Sequence, residues 1–291
     1  DYKLPTALDV PPEIGSVREL RLALRSGSRP ARAYYPQASK NQDDELSALV
    51  YFHGGGFTIG SIDTPDTLCR RICVGAGCVV ISVDYRLAPE DRFPAAVEDC
   101  DDAYGWVIEH PGELGIRSGR IAVGGDSAGG NLAAVVSFLA RDRGAPRPFA
   151  QLLIYPGTGT VEHPGRAKAE LQTGYGLDAQ TTRWFFENYM GDAPGEDPLA
   201  APLYLDSHAG LPPAIVVTAQ FDLLCAEGIE YAEKLRRAGV PVVHQHVPDL
   251  PHGFGTMSVI PRAQEAIQDF ANALGHAFQH RAVAFDAAAQ K

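Results

Sequence analysis

The segment around Ser127 constrains the fold of this chain more than any other. The serine lies in GGDSAGGN (residues 124–131), directly after the apolar run 121–123. Gly125 and Gly129, two residues to either side, permit a turn that is too tight for larger side chains. Residues 131–139 are apolar and predict a buried helix whose N-terminus points at the serine. The segment therefore predicts a strand, a tight turn and a helix, with Ser127 at the tip of the turn.

A glycine-rich segment follows an earlier predicted strand. The apolar residues 49–52 lead into His53-Gly54-Gly55-Gly56-Phe57. Successive glycines let the backbone approach a substrate closely and turn its N–H groups toward one point. These glycine donors, together with the N–H of Ala128, would form an oxyanion hole, and we expect Gly55 and one neighbouring glycine to donate. A glycine-rich turn without a ligand is the alternative, and a phosphate-binding loop is disfavoured because its Lys-Ser/Thr ending is missing.

A serine nucleophile needs a base and a carboxylate that orients the base. Downstream of Ser127, Asp222 follows a predicted strand and His252 follows the next one. The eight predicted strands are 17–24, 30–35, 48–52, 78–83, 120–124, 150–155, 214–218 and 241–247. The serine then follows the fifth strand, Asp222 the seventh and His252 the eighth, which is the α/β-hydrolase arrangement.

With these motifs together, the chain resembles the bacterial hormone-sensitive-lipase-like esterases, or family IV carboxylesterases. The matching segments are HGGGF (53–57), DYRLAPE (84–90), FPAA (93–96), GDSAGGN (125–131), YP (155–156) and HGF (252–254). The resemblance covers residues 45–275 and implies an α/β-hydrolase fold with an eight-stranded, mostly parallel sheet, flanking helices and a small helical cap. It also implies Ser127 as nucleophile, His252 as general base and acid, and Asp222 as the third member of the triad. The chain departs from the family in DLLCAEG (222–228), where the usual Pro after the catalytic Asp is absent.

Other ionisable residues near these motifs have plainer interpretations. Asp126 is expected to be a scaffold carboxylate that accepts hydrogen bonds rather than a rival catalytic acid. Glu227 is expected to cap the following helix rather than to support His252. His244 and His246 share one strand face, but the sequence places no third ligand beside them, so no metal site is predicted.

Two irregular segments are expected to control access to the site. We interpret residues 1–291 as one domain with cap elements at about 1–16 and 157–210, because both segments form a cap in the resembled family. A helix over 177–190 is predicted, with Asp178 as its N-cap. The residues expected to contact substrate are Phe57, Tyr175, Trp184, Phe185 and Tyr189. The alternative for each aromatic side chain is simple packing on the catalytic domain.

Composition excludes several classes of protein. The net charge of −11 argues against binding to nucleic acid or to an anionic membrane surface. No run of 18 apolar residues and no signal-peptide pattern at this N-terminus are found, so stable membrane association is not expected. The five cysteines contain no C-x-x-C pair and are expected to be buried thiols in a reducing cytoplasm.

The resemblance implies a serine carboxylesterase that acts on small-molecule esters of short to medium acyl chains, without a cofactor or metal. It further implies a possible homodimer through the last strand and the predicted helix at 261–278. Two alternatives remain open. An amidase or deacetylase could use the same triad, and a non-catalytic small-molecule binder could share the fold, although receptors of that kind lack the histidine found here at position 252.

Overall fold

Eight segments of the chain form one sheet within the residues that the structure describes, which are 10–37, 45–167, 171, 173–257 and 259–280. In this computed structural model the strands are β1 (Ser16–Leu24), β2 (Gly27–Tyr35), β3 (Leu46–Phe52), β4 (Val79–Val83), β5 (Ile116–Asp126), β6 (Gln151–Ile154), β7 (Ala214–Phe221) and β8 (Val242–Pro251). Their order across the sheet is β1-β2-β4-β3-β5-β6-β7-β8. β2 pairs antiparallel with both β1 and β4, and all other neighbours are parallel. The predicted eight-stranded, mostly parallel sheet is confirmed.

Helices cover both faces of the sheet. The α-helices of the described residues are α1 (Asp66–Ala76), α2 (Ala95–Glu109), α3 (Pro111–Leu114), α4 (Ala128–Asp142), α5 (Ala179–Met190), α6 (Cys225–Arg237) and α7 (Pro261–Gln279). Short 3-10 helices span Pro164–Ala167, Pro202–Tyr204 and Phe254–Thr256. Buried residues of α1 and α7 pack on one face, and those of α2, α4 and α6 pack on the other. None of the helices in these described ranges is long and apolar enough to cross a bilayer.

The central strand β3 illustrates why this sheet is apolar on both sides. Successive side chains of a strand point to opposite faces. Leu49 and Tyr51 accordingly join the core beneath α1 and α7, whereas Val50 and Phe52 join the core beneath α2 and α4. A parallel strand covered by helices on both faces has a continuous apolar sequence, as the segment LVYF does.

The order of the strands brings the sequence motifs to one edge of the sheet. Ser127 follows β5, Asp222 follows β7 and His252 follows β8, as predicted. The glycine loop follows β3, whose last residue Phe52 pairs with Gly125 of the neighbouring β5. All of these segments therefore leave the sheet at the carboxyl ends of its parallel strands, where such sheets form their binding crevices.

The predicted helix in the segment 157–210 is present as α5. Its N-cap is Asp178, whose side chain accepts a hydrogen bond from the N–H of Thr181 at 2.6 Å, as expected. Residues 1–9 of the other expected cap segment lie outside the described residues. The division into a catalytic domain and a cap at 1–16 and 157–210 stays a prediction.

Candidate active site

The turn between β5 and α4 has the tight geometry that its glycines predict. Ser127 has φ 55° and ψ −117°, a strained combination for a residue with a side chain. A Cβ atom at Gly125 or Gly129 would overlap the backbone, in both cases at the carbonyl of Phe52. The N–H of the serine donates to the carbonyl of Ile154 at 2.9 Å. The turn is therefore fixed from both neighbouring strands, and it projects the serine hydroxyl from the end of β5.

Three side chains that are distant in sequence form one hydrogen-bonded line. The Nε2 atom of His252 lies 2.9 Å from Oγ of Ser127, and its Nδ1 atom lies 2.9 Å from Oδ2 of Asp222. Asp222 is buried, and its other oxygen accepts the N–H of Leu224 at 2.8 Å. A carboxylate at Nδ1 favours the tautomer that carries its proton there, which leaves Nε2 free to accept the serine proton. The structure thus brings together the three residues expected to form the triad.

The glycine loop lies beside the serine, but its first N–H is already occupied. Gly54 donates its N–H to Oδ1 of Asp126 at 2.9 Å, so it cannot also serve an oxyanion. We therefore correct the expected donor set by removing Gly54. Gly55 and Gly56 have φ values of 120° and 58°, which only glycine adopts readily, and they continue the loop over the site. Ala128 is the first residue of α4, where helical N–H groups have no partner within the helix.

The buried carboxylate of Asp126 fixes this loop. Its Oδ1 atom also accepts the hydroxyl of Tyr51 at 2.6 Å. Burial raises the pKa of Asp126 above its ordinary value, while the hydrogen bond from Tyr51 opposes that shift. The interpretation of Asp126 as a scaffold carboxylate is confirmed. Beside it, burial lowers the pKa of His53, whose Nδ1 lies 2.7 Å from the carbonyl of Gly54.

A cavity of about 1120 Å³ lies in front of the serine. Ser127, His252 and the glycine loop form part of its wall. Three of the expected substrate-contacting residues also line it, namely Phe57, Phe185 and Tyr189. The ring of Phe57 stacks on that of Tyr189 at a centroid distance of 3.9 Å. The cavity therefore joins the candidate triad to aromatic side chains of α5.

Two expected pocket residues do not line this cavity. The ring of Tyr175 stacks on Phe221, with centroids 4.8 Å apart. Trp184 is half exposed and tilts against Phe185. Trp184 lies off the face of α5 that carries Phe185 and Tyr189 four residues apart, so its side chain points away from the site.

The same helical spacing identifies cavity residues that the sequence reasoning missed. Thr182, Phe185, Phe186 and Tyr189 follow the i, i+3, i+4, i+7 pattern and all line the cavity. Leu177, just before the helix, also lines it. Choosing residues by helical face would have found Thr182 and Phe186 and would have left out Trp184.

Glu227 has a different role from the one predicted. Its Oε1 accepts the N–H groups of Thr158 and Gly159 at 2.8 and 3.0 Å. Glu227 lies in the first turn of α6, but these two hydrogen bonds go to the segment 158–159 and not to the N-terminus of that helix. Since Gly157 and Gly159 line the cavity, this buried carboxylate supports the loop that forms one wall of it.

His244 and His246 take part in a chain of hydrogen bonds with protein groups. The hydroxyl of Thr218 lies 2.9 Å from Nε2 of His244 and 3.0 Å from Nδ1 of His246. The Nε2 atom of His246 lies 2.8 Å from Oε1 of Gln220. The amide oxygen can only accept, so the chain runs from His244 through Thr218 and His246 to Gln220. Within the described ranges, no group of three or more His, Cys, Asp or Glu side chains could hold a metal ion.

Comparison with known families agrees with this geometry. A family profile described as the alpha/beta hydrolase fold matches residues 49–256, which include the glycine loop and all three triad candidates. Carboxylic ester hydrolase LipN of Mycobacterium tuberculosis is 43% identical over 245 residues, which are 82% of this chain and 64% of LipN. The chain therefore spans less than two thirds of that relative.

Further relatives carry related names. The ethyl acetate hydrolase of Pseudomonas putida is 39% identical over 260 residues, covering 86% of this chain and 80% of that protein. The solved structure of a hyperthermophilic esterase from Pyrobaculum calidifontis has a TM-score of 0.85 and 40% identity, covering 91% of this chain and 86% of that one. The chain belongs to the α/β-hydrolase fold family, and within it to the hormone-sensitive-lipase-like carboxylesterases.

Proposed function

We propose that the chain hydrolyses carboxylic esters through an acyl-enzyme formed on Ser127. The alignment of its hydroxyl with His252 and Asp222, at two distances of 2.9 Å, carries this proposal. Such an arrangement lets the imidazole accept a proton as the oxygen attacks, while the buried carboxylate stabilises the resulting imidazolium.

The reaction follows from these positions. Oγ of Ser127 attacks the ester carbonyl carbon as His252 takes its proton. The N–H groups of Gly55, Gly56 and Ala128 stabilise the negative charge on the carbonyl oxygen. His252 then gives the proton to the departing alcohol, and the acyl group stays on the serine. Water attacks this acyl-enzyme with His252 again as base, which releases the acid and restores the serine hydroxyl.

The cavity supports a neutral ester of moderate size as substrate. Its volume of about 1120 Å³ slightly exceeds that of common small-molecule pockets, which span roughly 300–1,000 Å³. Apolar side chains including Leu177, Phe186 and Tyr189 line it, and no lysine or arginine of the described residues does. The name of the relative that hydrolyses ethyl acetate supports short acyl groups. We therefore propose short- to medium-chain acyl groups, with room for a larger alcohol.

Two further features of the protein are proposals. The edge strand β8 and helix α7 offer a surface for a homodimer. A cytoplasmic location is supported by the five cysteines, none of which forms a disulfide.

The test is hydrolysis of p-nitrophenyl esters from acetate to palmitate by the wild type, Ser127→Ala and Ser137→Ala. Ser137 lies on α4, and its hydroxyl donates to the carbonyl of Ala133 in the same helix at 2.8 Å, so it is a matched control. We expect activity that peaks at short or medium chains, and a loss of at least about 10³-fold in Ser127→Ala alone. Retained hydrolysis in purified, folded Ser127→Ala would overturn the proposal.

A further inference from the structure

Tyr155 has a strained backbone next to the candidate triad. It directly follows β6 and has φ 35°, in a region that residues with side chains rarely occupy. Its N–H donates to the carbonyl of Val217 at 2.7 Å. Such strain persists only where the surroundings determine the conformation, and it concentrates at functional sites. The mechanism described above does not use this residue.

The side chain of Tyr155 contacts the loop that carries His252 at two points. Its ring lies edge-on to the imidazole, with centroids 4.9 Å apart. Its hydroxyl oxygen accepts the N–H of Gly255 at 3.1 Å. A Cβ atom at Gly255 would lie 2.5 Å from that oxygen, so the loop approaches the phenol as closely as a glycine allows. Tyr155 is 1% exposed, and these contacts are therefore shielded from water.

The backbone on either side of Tyr155 is hydrogen-bonded to Ser127, the residue whose proton His252 accepts. The carbonyl of Ile154 accepts the N–H of Ser127 at 2.9 Å. The N–H of Gly157 donates to the carbonyl of the same serine at 3.3 Å. Residues 154–157 thus bind Ser127 through the main chain and His252 through one side chain. Ser127 and His252, which are 125 positions apart in sequence, are therefore both held by the segment 154–157.

We propose that Tyr155 is a positioning residue that keeps the imidazole of His252 aligned with the hydroxyl of Ser127. This inference rests on the triad proposed above. The ring limits movement of the imidazole, and the hydroxyl anchors the backbone three residues further along the loop. The aligned geometry is needed for proton transfer in the chemical step, whereas the substrate cavity does not include Tyr155 in its lining.

The first test removes only the hydroxyl. Tyr155→Phe keeps the ring and leaves the N–H of Gly255 without its acceptor. Tyr231→Phe is the matched control, since Tyr231 is fully buried on α6 and its hydroxyl has no hydrogen-bond partner among the described residues. We expect kcat of Tyr155→Phe to fall about fivefold with KM nearly unchanged, because an interaction used in the transition state is lost without loss of substrate binding.

The second test uses the close approach at Gly255. Gly255→Ala places a methyl group against the hydroxyl of Tyr155 and should displace the histidine loop. Removing that hydroxyl relieves the closest contact and leaves Cδ2 of Leu68, the end of a flexible side chain 3.0 Å from the added carbon, as the next one. We expect kcat to fall about twentyfold in Gly255→Ala and to recover in the double variant to the level of Tyr155→Phe, as coupled neighbours deviate from additivity. Thermal unfolding of each variant accompanies the kinetics.

The results for Tyr155 and those for Ser127 test two separate claims, the positioning role of Tyr155 and ester hydrolysis through Ser127. Equal kcat values for Tyr155→Phe and Tyr231→Phe would overturn the positioning role, as would losses that simply multiply in the double variant. Either result leaves the proposed function standing if Ser127→Ala is inactive. A rise in KM with unchanged kcat would also overturn the inference, because it would assign Tyr155 to substrate binding.

Discussion

The ring of Tyr175 stacks in parallel on the ring of Phe221, the residue directly before Asp222, with an interplanar angle of 6°. The carbonyl of Phe221 also accepts the N–H of His252 at 3.3 Å. Tyr175, in the segment expected to form the cap, thus packs on Phe221. That residue precedes Asp222 in the chain and binds the backbone of His252. The segment expected to form the cap therefore contacts a neighbour of the candidate triad as well as the cavity.

This contact predicts an effect of the cap on turnover. Tyr175→Ala removes a stacked pair that contributes about 0.5–1.5 kcal/mol, so kcat should fall by about twofold to twelvefold. Tyr175→Phe keeps the stack and serves as the control, with kcat close to the wild type. Steady-state kinetics on p-nitrophenyl butyrate measures both. Equal kcat values in the two variants would contradict this effect.

The carboxylate of Asp126 should be required to hold the glycine loop, residues 53–57, in place. Asp126→Ala leaves the buried N–H of Gly54 without an acceptor, at a cost of about 1–3 kcal/mol, and frees the loop to move. We expect kcat to fall about 10- to 100-fold, with a smaller loss in Tyr51→Phe, which removes a donor to the same oxygen. A wild-type kcat in Asp126→Ala, measured with p-nitrophenyl acetate, would show that the loop needs no such anchor.

Phe185 should limit the length of the acyl chain. Its ring lies against Gly56, where an added Cβ would overlap it, and it lines the cavity. Phe185→Ala enlarges the cavity beside the glycine loop, so kcat/KM for octanoate relative to butyrate should rise about tenfold. Trp184→Ala changes the adjacent aromatic residue outside the cavity and should leave this ratio unchanged. If Phe185→Ala and Trp184→Ala had the same chain-length preference, Phe185 would not be the residue that limits the acyl chain.

His244 should make stability depend on pH. Burial lowers its pKa to about 4 from an ordinary 6.5, with smaller contributions from Arg236 and His246. Between these values the unfolded chain binds a proton that the folded chain excludes. The free energy of unfolding therefore contains a contribution that is fully present above pH 6.5 and is lost as the pH falls toward 4.

Urea unfolding at pH 7 and pH 4.5 measures this contribution. His244→Gln should narrow the difference in unfolding free energy between the two pH values by about 1 kcal/mol, a figure reduced for the partial exposure of the side chain. His280→Gln, at an exposed position after α7, is the control and should keep the wild-type difference. An unchanged pH dependence in His244→Gln would contradict the prediction.

The elements of the fold and the meeting of Ser127, His252 and Asp222 at one edge of the sheet were predictable because they depend on local patterns. The turn at Ser127 leaves no room for a Cβ atom at positions 125 and 129, so glycines there are its local signal. The end of each parallel strand fixes where Asp222 and His252 lie. The assignments that failed depend on the direction of single side chains. No sequence pattern states that the carboxylate of Asp126 points at Gly54, or that Tyr175 stacks on Phe221 instead of entering the cavity.

The contribution of Tyr155 was hidden for a similar reason. Its positive φ results from contacts with strands and loops that are far away in sequence, and a tyrosine gives no local signal of such a conformation. The missed cavity residues Thr182 and Phe186 differ, since the period of α5 already places them beside Phe185.

Ester hydrolysis by the proposed mechanism requires Ser127 to form the covalent intermediate. Diethyl p-nitrophenyl phosphate reacts with an activated serine, which becomes phosphorylated as p-nitrophenol leaves. Mass spectrometry of the digested protein then locates the group, with Ser127→Ala treated in parallel. We predict one modified peptide, carrying the diethylphosphoryl group on Ser127, and loss of esterase activity in proportion to labelling. Complete inactivation with the label on another residue, or full activity with Ser127 labelled, would contradict the account.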